Sequence, residues 1–186
     1  DFVVSGLAHA SRHAPQLNAA LFPYMFKDRE TMFEVFDGEI GQRLSDSLKP
    51  ANMSIAAWWD NGFRHVSNNI RPIMKPEDLH GLKLRTLPSS VHVAFFRAAG
   101  ASPTPMDFNE LMPALQQGVL DGQENPPAVV YPYRLFEAQK YYSLTSHVNE
   151  PMVLIMSEAV RGKLSEEDMQ ALEASIEKAT VFQREL

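Results

Sequence analysis

Arg85, Phe108 and Asn125 supply a cation, an aromatic face and an amide within one stretch, Gly81 to Pro127. Together they suit a small organic anion. A guanidinium is planar and holds a carboxylate through two parallel hydrogen bonds, a geometry that lysine cannot copy. The side-chain oxygen of Asn125 is expected to accept the backbone N–H of Ala128, because Pro126 and Pro127 have none to offer. Its NH2 would then be left to donate to an anion beside a helix N-terminus. Each residue also has a structural reading: Arg85 as a surface cation paired with an acid, Phe108 as a hydrophobic staple before Asn109, Asn125 as a helix cap alone.

These side chains must be positioned by strand-to-helix junctions. Lys83–Thr86 reads as a short strand, and Ser89 or Ser90 as the cap of a helix over Val91–Ala99 that stops at Gly100. Pro103–Met106 leads into a second helix, with Asn109 as N-cap and Gly118 as stop. Leu120–Gln123 is a third extended run. Such strand ends open onto one side of a small parallel sheet, where open α/β sheets bind ligands. Asp1–Ser5 and Met53–Trp59 read as buried strands, the first as a parallel one. Asp28 should cap a helix over Arg29–Phe36, and Pro127–Phe136 should be helical with a break at Pro132. Ser165 should cap a final helix through Leu186, with Met169, Leu172, Ile176 and Ala179 as its buried stripe. The alternation argues for an α/β fold.

Composition narrows the function. The chain has 186 residues, 45% hydrophobic and 22% charged, with 17 Lys and Arg against 23 Asp and Glu. A net charge of −6 argues against a broad nucleic-acid footprint, so any anion site must be local. No apolar run approaches the roughly 20 residues of a membrane span. The absence of cysteine excludes disulfides. Asp1–Ala10 lacks the basic and apolar regions of a signal peptide. His9 and His13 have the helical spacing of two metal ligands, but nothing nearby completes a set, so neither metal nor cofactor is expected. No nucleophile elbow, zinc-protease helix, phosphate loop or dinucleotide fingerprint is present. Asp121 and Glu124 flank a glycine turn, where turn chemistry and internal hydrogen bonding explain them best.

The run GLKLRTLPSS, PTPMDFNELMPALQQG and VLDGQENPP, with WWDNGFRHVSN before it and FEAQKYYSLTSHV after it, resembles the solute-binding proteins of TRAP transporters. These form the DctP-type family of periplasmic binding proteins. The resemblance implies a two-lobe α/β, periplasmic-binding-protein-like fold with hinge crossovers, incomplete at both ends. Residues 1–61 would form part of lobe one and 62–150 lobe two, with 151–186 returning to lobe one as a long C-terminal helix. Residues 1–186 alone are not expected to form a closed monomeric receptor. By the same resemblance Arg85 clamps a ligand carboxylate, Asn125 contacts it, Phe108 packs on its apolar side and Arg64 is a second arginine for acidic ligands. Trp59 is a candidate pocket wall, and His9 a candidate contact from lobe one. The implied function is periplasmic capture of an organic or sugar acid and its delivery to TRAP membrane subunits, without catalysis or membrane insertion of this chain. The rivals are a sensor for a signalling partner and, further off, an enzyme of small carboxylates.

Overall fold

The computed structural model describes residues 1–186. Its strands are β1 (Phe2–Gly6), β2 (Met53–Trp59), β3 (Phe63–Asn68), β4 (Lys83–Thr86), β5 (Ser102–Pro105), β6 (Gly122–Asn125), β7 (Tyr141–Asn149) and β8 (Met152–Ser157). Its α-helices are α1 (Leu7–Ala10), α2 (Arg29–Phe36), α3 (Glu39–Asp46), α4 (Ser90–Ala98), α5 (Phe108–Gln116), α6 (Pro127–Val130), α7 (Glu158–Arg161) and α8 (Glu166–Glu185). The chain divides into two compact units. One comprises Asp1–Leu17, Phe26–Asn61 and Glu150–Leu186, the other Asn18–Met25 and Gly62–Asn149.

The first unit is built on a sheet of order β1-β8-β2, antiparallel throughout. β8 is central and apolar, with Val153, Leu154, Ile155 and Met156 all buried. β1 is therefore not the buried parallel strand expected of Asp1–Ser5. It is an edge strand antiparallel to β8, and Phe2, Val3 and Val4 are 42%, 52% and 47% exposed. An apolar run marks a strand but carries no information about its direction or partner. Asp28 caps α2 through Thr31 N–H at 2.8 Å, and Ser165 caps α8 through Asp168 N–H at 3.1 Å. α8 lies along β2: Trp59 Nε1 donates to Thr180 Oγ1 at 2.9 Å, and Arg184 reaches Asp37 and the Trp58 carbonyl. Trp58 stacks on Phe36, ring centroids 4.5 Å apart. The predicted stripe of α8 is only half-buried at Met169, Leu172 and Ile176, and Ala179 is exposed. Polar side chains, not an apolar seam, fasten its last turns.

The second unit carries a five-stranded sheet of order β5-β4-β6-β3-β7. β5, β4 and β6 are parallel, as the strand-to-helix junctions require, while β3 runs antiparallel to both β6 and β7. The third parallel strand begins at Gly122 rather than Leu120. Gly122 explains this start, because a Cβ there would lie 2.1 Å from the Ser67 carbonyl oxygen. Only glycine lets β6 approach β3 that closely. Gly100, at φ +82°, ends α4 in the left-handed region as expected. α5 starts two residues earlier than the capping signal suggested, with Asp107 and not Asn109 at the N-cap. The helix after β6 is a single turn, α6, and a separate 3-10 turn follows at Leu135–Ala138. Two apolar clusters support the sheet, one around Val66, Leu84 and Phe96, the other around Leu111, Leu115 and Leu135. Each such side chain, fully buried, stabilises the fold by roughly 1.5–3 kcal/mol.

Candidate ligand-binding site

Strand register brings three of the polar candidates to one end of the second unit's sheet. Arg85 lies near the C-terminal end of β4, paired with Thr104 on β5 and Gln123 on β6. Asn125 is the last residue of β6 and pairs with His65, so Arg64 comes one step further along antiparallel β3. Phe108 opens α5, after β5 ends at that same side of the sheet.

Arg85 is fully buried, and its Nε donates to the Met106 carbonyl at 2.8 Å. That bond fixes the plane of the guanidinium, the property a bidentate carboxylate clamp needs. Phe108 is half-buried at the margin of the Leu111 cluster, with Tyr133 edge-on to its ring at 4.7 Å. Its orientation is thus set by packing from below.

Arg64 is equally buried and joined to Glu124. Its Nε donates to Glu124 Oε2 at 2.5 Å, and its Nη2 donates to Glu124 Oε1 at 3.0 Å and to the Glu124 carbonyl at 2.5 Å. The same Nη2 donates to Asn125 Oδ1 at 3.0 Å. Glu124 also receives His147 Nε2 at 3.2 Å, while His92 Nδ1 stands 3.9 Å away. Burial alone would raise the Glu124 pKa. The Arg64 charge, the His147 hydrogen bond and the nearby His92 outweigh it and hold the carboxyl far below the usual carboxylate range.

Asn125 does not cap the following helix. Pro126 occupies the N-cap and no side chain bonds that turn. As a strand residue, Asn125 shares a face with Gln123 two positions back, and its Nδ2 donates to Gln123 Oε1 at 2.5 Å. Gln123 Nε2 donates to Ser67 Oγ at 2.7 Å, and Ser67 Oγ to Gln139 Oε1 at 2.9 Å. Tyr142 OH closes on the Asn125 carbonyl at 3.1 Å, and burial pushes the phenol up to about 12 despite the opposing charge of Arg64. This chain of acceptors and donors leaves Asn125 one orientation, with one of its two amide N–H groups taken by Gln123. Glu124 belongs to the strand itself rather than to a glycine turn. Asp121 ties the approach to β6 onto the start of β4, accepting Lys83 N–H at 2.8 Å.

Trp59 and His9 lie in the first unit. Trp59 is half-buried and committed through its indole N–H to α8. His9, in α1, has a buried Nδ1 without a hydrogen-bond partner. Nearby, Glu150 Oε1 accepts Ala8 N–H at 3.1 Å, and a Cβ on Gly6 would meet it at 3.1 Å. Sequence reasoning missed Gln123, Tyr142 and Glu150, and it missed Glu124 as the partner of Arg64. The signal was present in Gly122–Asn125, a strand of polar character that is buried at every position. Burying that many polar groups is costly unless they form a built site.

The chain matches the DctP family, bacterial extracellular solute-binding protein family 7, over residues 1–186, and it belongs to that family. It is 37% identical over its whole length to the 2,3-diketo-L-gulonate-binding periplasmic protein of Escherichia coli K12, covering 57% of that protein. A TRAP periplasmic solute-binding protein from Polaromonas sp. JS666, solved bound to D-erythronate, superposes with a TM-score of 0.95 at 42% identity, covering all of this chain and 61% of that one. Another, from Sulfitobacter sp. NAS-14.1 with bound β-D-galacturonate, gives 0.96 at 33% identity, again over all of this chain and over 62% of its own. The chain thus spans about three fifths of the relatives it matches. The family is one of solute-binding proteins, and the relatives above are named as periplasmic binding proteins. No helix of this chain is long and apolar enough to cross a membrane.

Proposed function

We propose that this chain is the central part of a periplasmic receptor that captures a small carboxylate and hands it, chemically unchanged, to TRAP-type membrane subunits. The observation that carries the reading is the convergence of two fully buried arginines and an oriented amide at one end of one sheet. In it Arg85 takes the carboxylate through two parallel bonds, Asn125 adds an amide donor and Phe108 covers the apolar side of the ligand. Arg64 sets the Asn125 amide through its Oδ1 and carries the second positive charge. Asp1–Leu17, Phe26–Asn61 and Glu150–Leu186 form one lobe, and Asn18–Met25 with Gly62–Asn149 the other. Relatives solved with erythronate and galacturonate favour a hydroxylated acid within the carboxylate class.

A thermal-shift screen on the longer parent protein tests this. D-Erythronate, D-galacturonate, succinate and the corresponding neutral sugars should be compared. A carboxylate should raise the melting temperature while its neutral counterpart does not. Equal shifts from the neutral sugars, or none from any carboxylate, would overturn the reading.

A further inference from the structure

The hydrogen bonds around Asn125 run in one direction. Arg64 Nη2 donates to Asn125 Oδ1, Asn125 Nδ2 to Gln123 Oε1, and Gln123 Nε2 to Ser67 Oγ. Ser67 Oγ–H then donates to Gln139 Oε1, and Gln139 Nε2 to the Ala138 carbonyl. Each end fixes that direction independently. A guanidinium only donates, so Asn125 must turn its oxygen to Arg64 and its NH2 to Gln123. A backbone carbonyl only accepts, so Gln139 must give its NH2 to Ala138, at 2.8 Å, and keep its oxygen for Ser67. The serine hydroxyl between them could serve either sense, and both ends select the same one.

The far end of this series is held in place yet has room around it. Ser67, Gln123 and Asn125 are buried, whereas Gln139 is half-buried between the 3-10 turn Leu135–Ala138 and β7. With Ser67 and Tyr142, Gln139 lines a cavity of about 400 Å³. Asn69, just past β3, clamps the backbone on both sides of it. Asn69 Nδ2 donates to the Ala138 carbonyl at 2.7 Å, and Asn69 Oδ1 accepts Lys140 N–H at 2.9 Å. The side chain at 139 can therefore be exchanged without crowding the core.

We propose that Gln139 is a positioning residue for the ligand-binding amide of Asn125, acting through Ser67 and Gln123. This rests on the reading that Asn125 donates to a carboxylate. An acceptor at 139 takes the Ser67 hydrogen, so Ser67 offers Gln123 a lone pair and Gln123 turns its oxygen to Asn125. A donor at 139 leaves the buried Ser67 hydrogen without its acceptor, a costly state that turning Gln123 over relieves. Turned over, Gln123 sets its NH2 against the NH2 of Asn125, and Arg64 keeps Asn125 from following. The amide that meets the ligand then loses the bond that aims it, and with it the preorganisation that favours binding.

The test uses the full-length parent protein, with D-erythronate, D-galacturonate and succinate as calorimetric probes. Gln139→Lys should weaken whichever of them binds by about five- to tenfold. Gln139→Glu, which keeps an acceptor, should stay within about twofold of wild type. Charge alone demands the opposite order, since a lysine attracts an anion and a glutamate repels it. In a Ser67→Ala background the lysine should have no further effect, because no hydroxyl remains to carry it. Without ligand, NMR should show the Asn125 side-chain NH2 exchanging with water faster in Gln139→Lys than in wild type or Gln139→Glu. Gln139→Lys binding as tightly as wild type, or Gln139→Glu binding as weakly as Gln139→Lys, would overturn the proposal. So would an Asn125 amide indifferent to residue 139, whatever the protein binds. A faster amide in a protein that binds none of the three acids would uphold the relay and overturn the carboxylate reading instead.

Discussion

A guanidinium and an ammonium carry the same charge but differ in shape, and the setting of Arg85 makes shape decisive. Its Nε is committed to the Met106 carbonyl, so the fork is aimed before any ligand arrives. Arg85→Lys should therefore cost carboxylate binding about 2–4 kcal/mol by calorimetry, although the charge is kept. A variant within twofold of wild type would refute the clamp. Asn125→Asp tests the neighbouring amide. The new carboxylate would still accept from Arg64, but it would confront Gln123 Oε1, and Gln123 is held by its own bond to Ser67. Binding should weaken by about tenfold or more, near 1.4 kcal/mol, and urea stability should fall by about 1–3 kcal/mol. At this scale the sequence disclosed residue types better than partners. A guanidinium at a strand end was legible in Arg85. That Arg64 would hold Glu124 and Asn125 was not, because their pairing depends on the register of β3 against β6, which no local pattern encodes.

Elements decide whether that register holds. Gly122 is where β6 and β3 touch, and a methyl group there would collide with the Ser67 carbonyl. Gly122→Ala should destabilise the second unit by roughly 1–3 kcal/mol or more in a urea titration. It should also weaken ligand binding, because Ser67 and Asn68 would shift and carry the Gln123–Ser67 bond with them. Retained stability with retained binding would show that the close approach is dispensable. The strand-to-helix rhythm, the stops at Gly100 and Gly118, and the caps Asp28 and Ser165 were readable, since each rests on contacts a few residues apart. The edge position of β1, the late start of β6 and the half-buried face of α8 were not. They follow from which strands become neighbours, a matter settled over distances from Phe2 to Met156 and from Gly122 to Asn68.

For the molecule as a whole, the buried pair of Arg64 and Glu124 predicts a particular acid response. The folded-state pKa of Glu124 is depressed, so its contribution is complete above the ordinary value of 4.5 and is lost as pH falls toward the folded value. Stability of the wild type should decline through that acidic range. Glu124→Gln should lose about 3–5 kcal/mol at neutral pH, because it leaves a buried guanidinium without its counter-charge. It should also show a shallower acid slope in urea melts repeated at successive pH values. An unchanged slope would place the acid sensitivity elsewhere. The chain passes between the units at Asn61–Gly62 and at Asn149–Glu150, and that residues 62–150 belong together was expected from the resemblance. The assignment of Asn18–Met25 to the second unit was not, because that segment is claimed by distant contacts such as Tyr24 N–H with His147 and Ser89 Oγ–H with Asn18.

The distribution of aromatic side chains has an optical consequence. Both tryptophans, Trp58 and Trp59, sit on β2 in the first unit, whereas all five tyrosines fall in the second. Tryptophan emission excited on the red side of tyrosine absorption therefore reports one unit, and the tyrosine bands of the second-derivative absorption spectrum the other, with no label attached. Trp58 on Phe36 and Trp59 on Thr180 should shift to the red when their unit opens. If the two signals change at the same denaturant concentration, the units melt as one cooperative body; if they separate, each has its own transition. The chain carries a colour code for its own cooperativity.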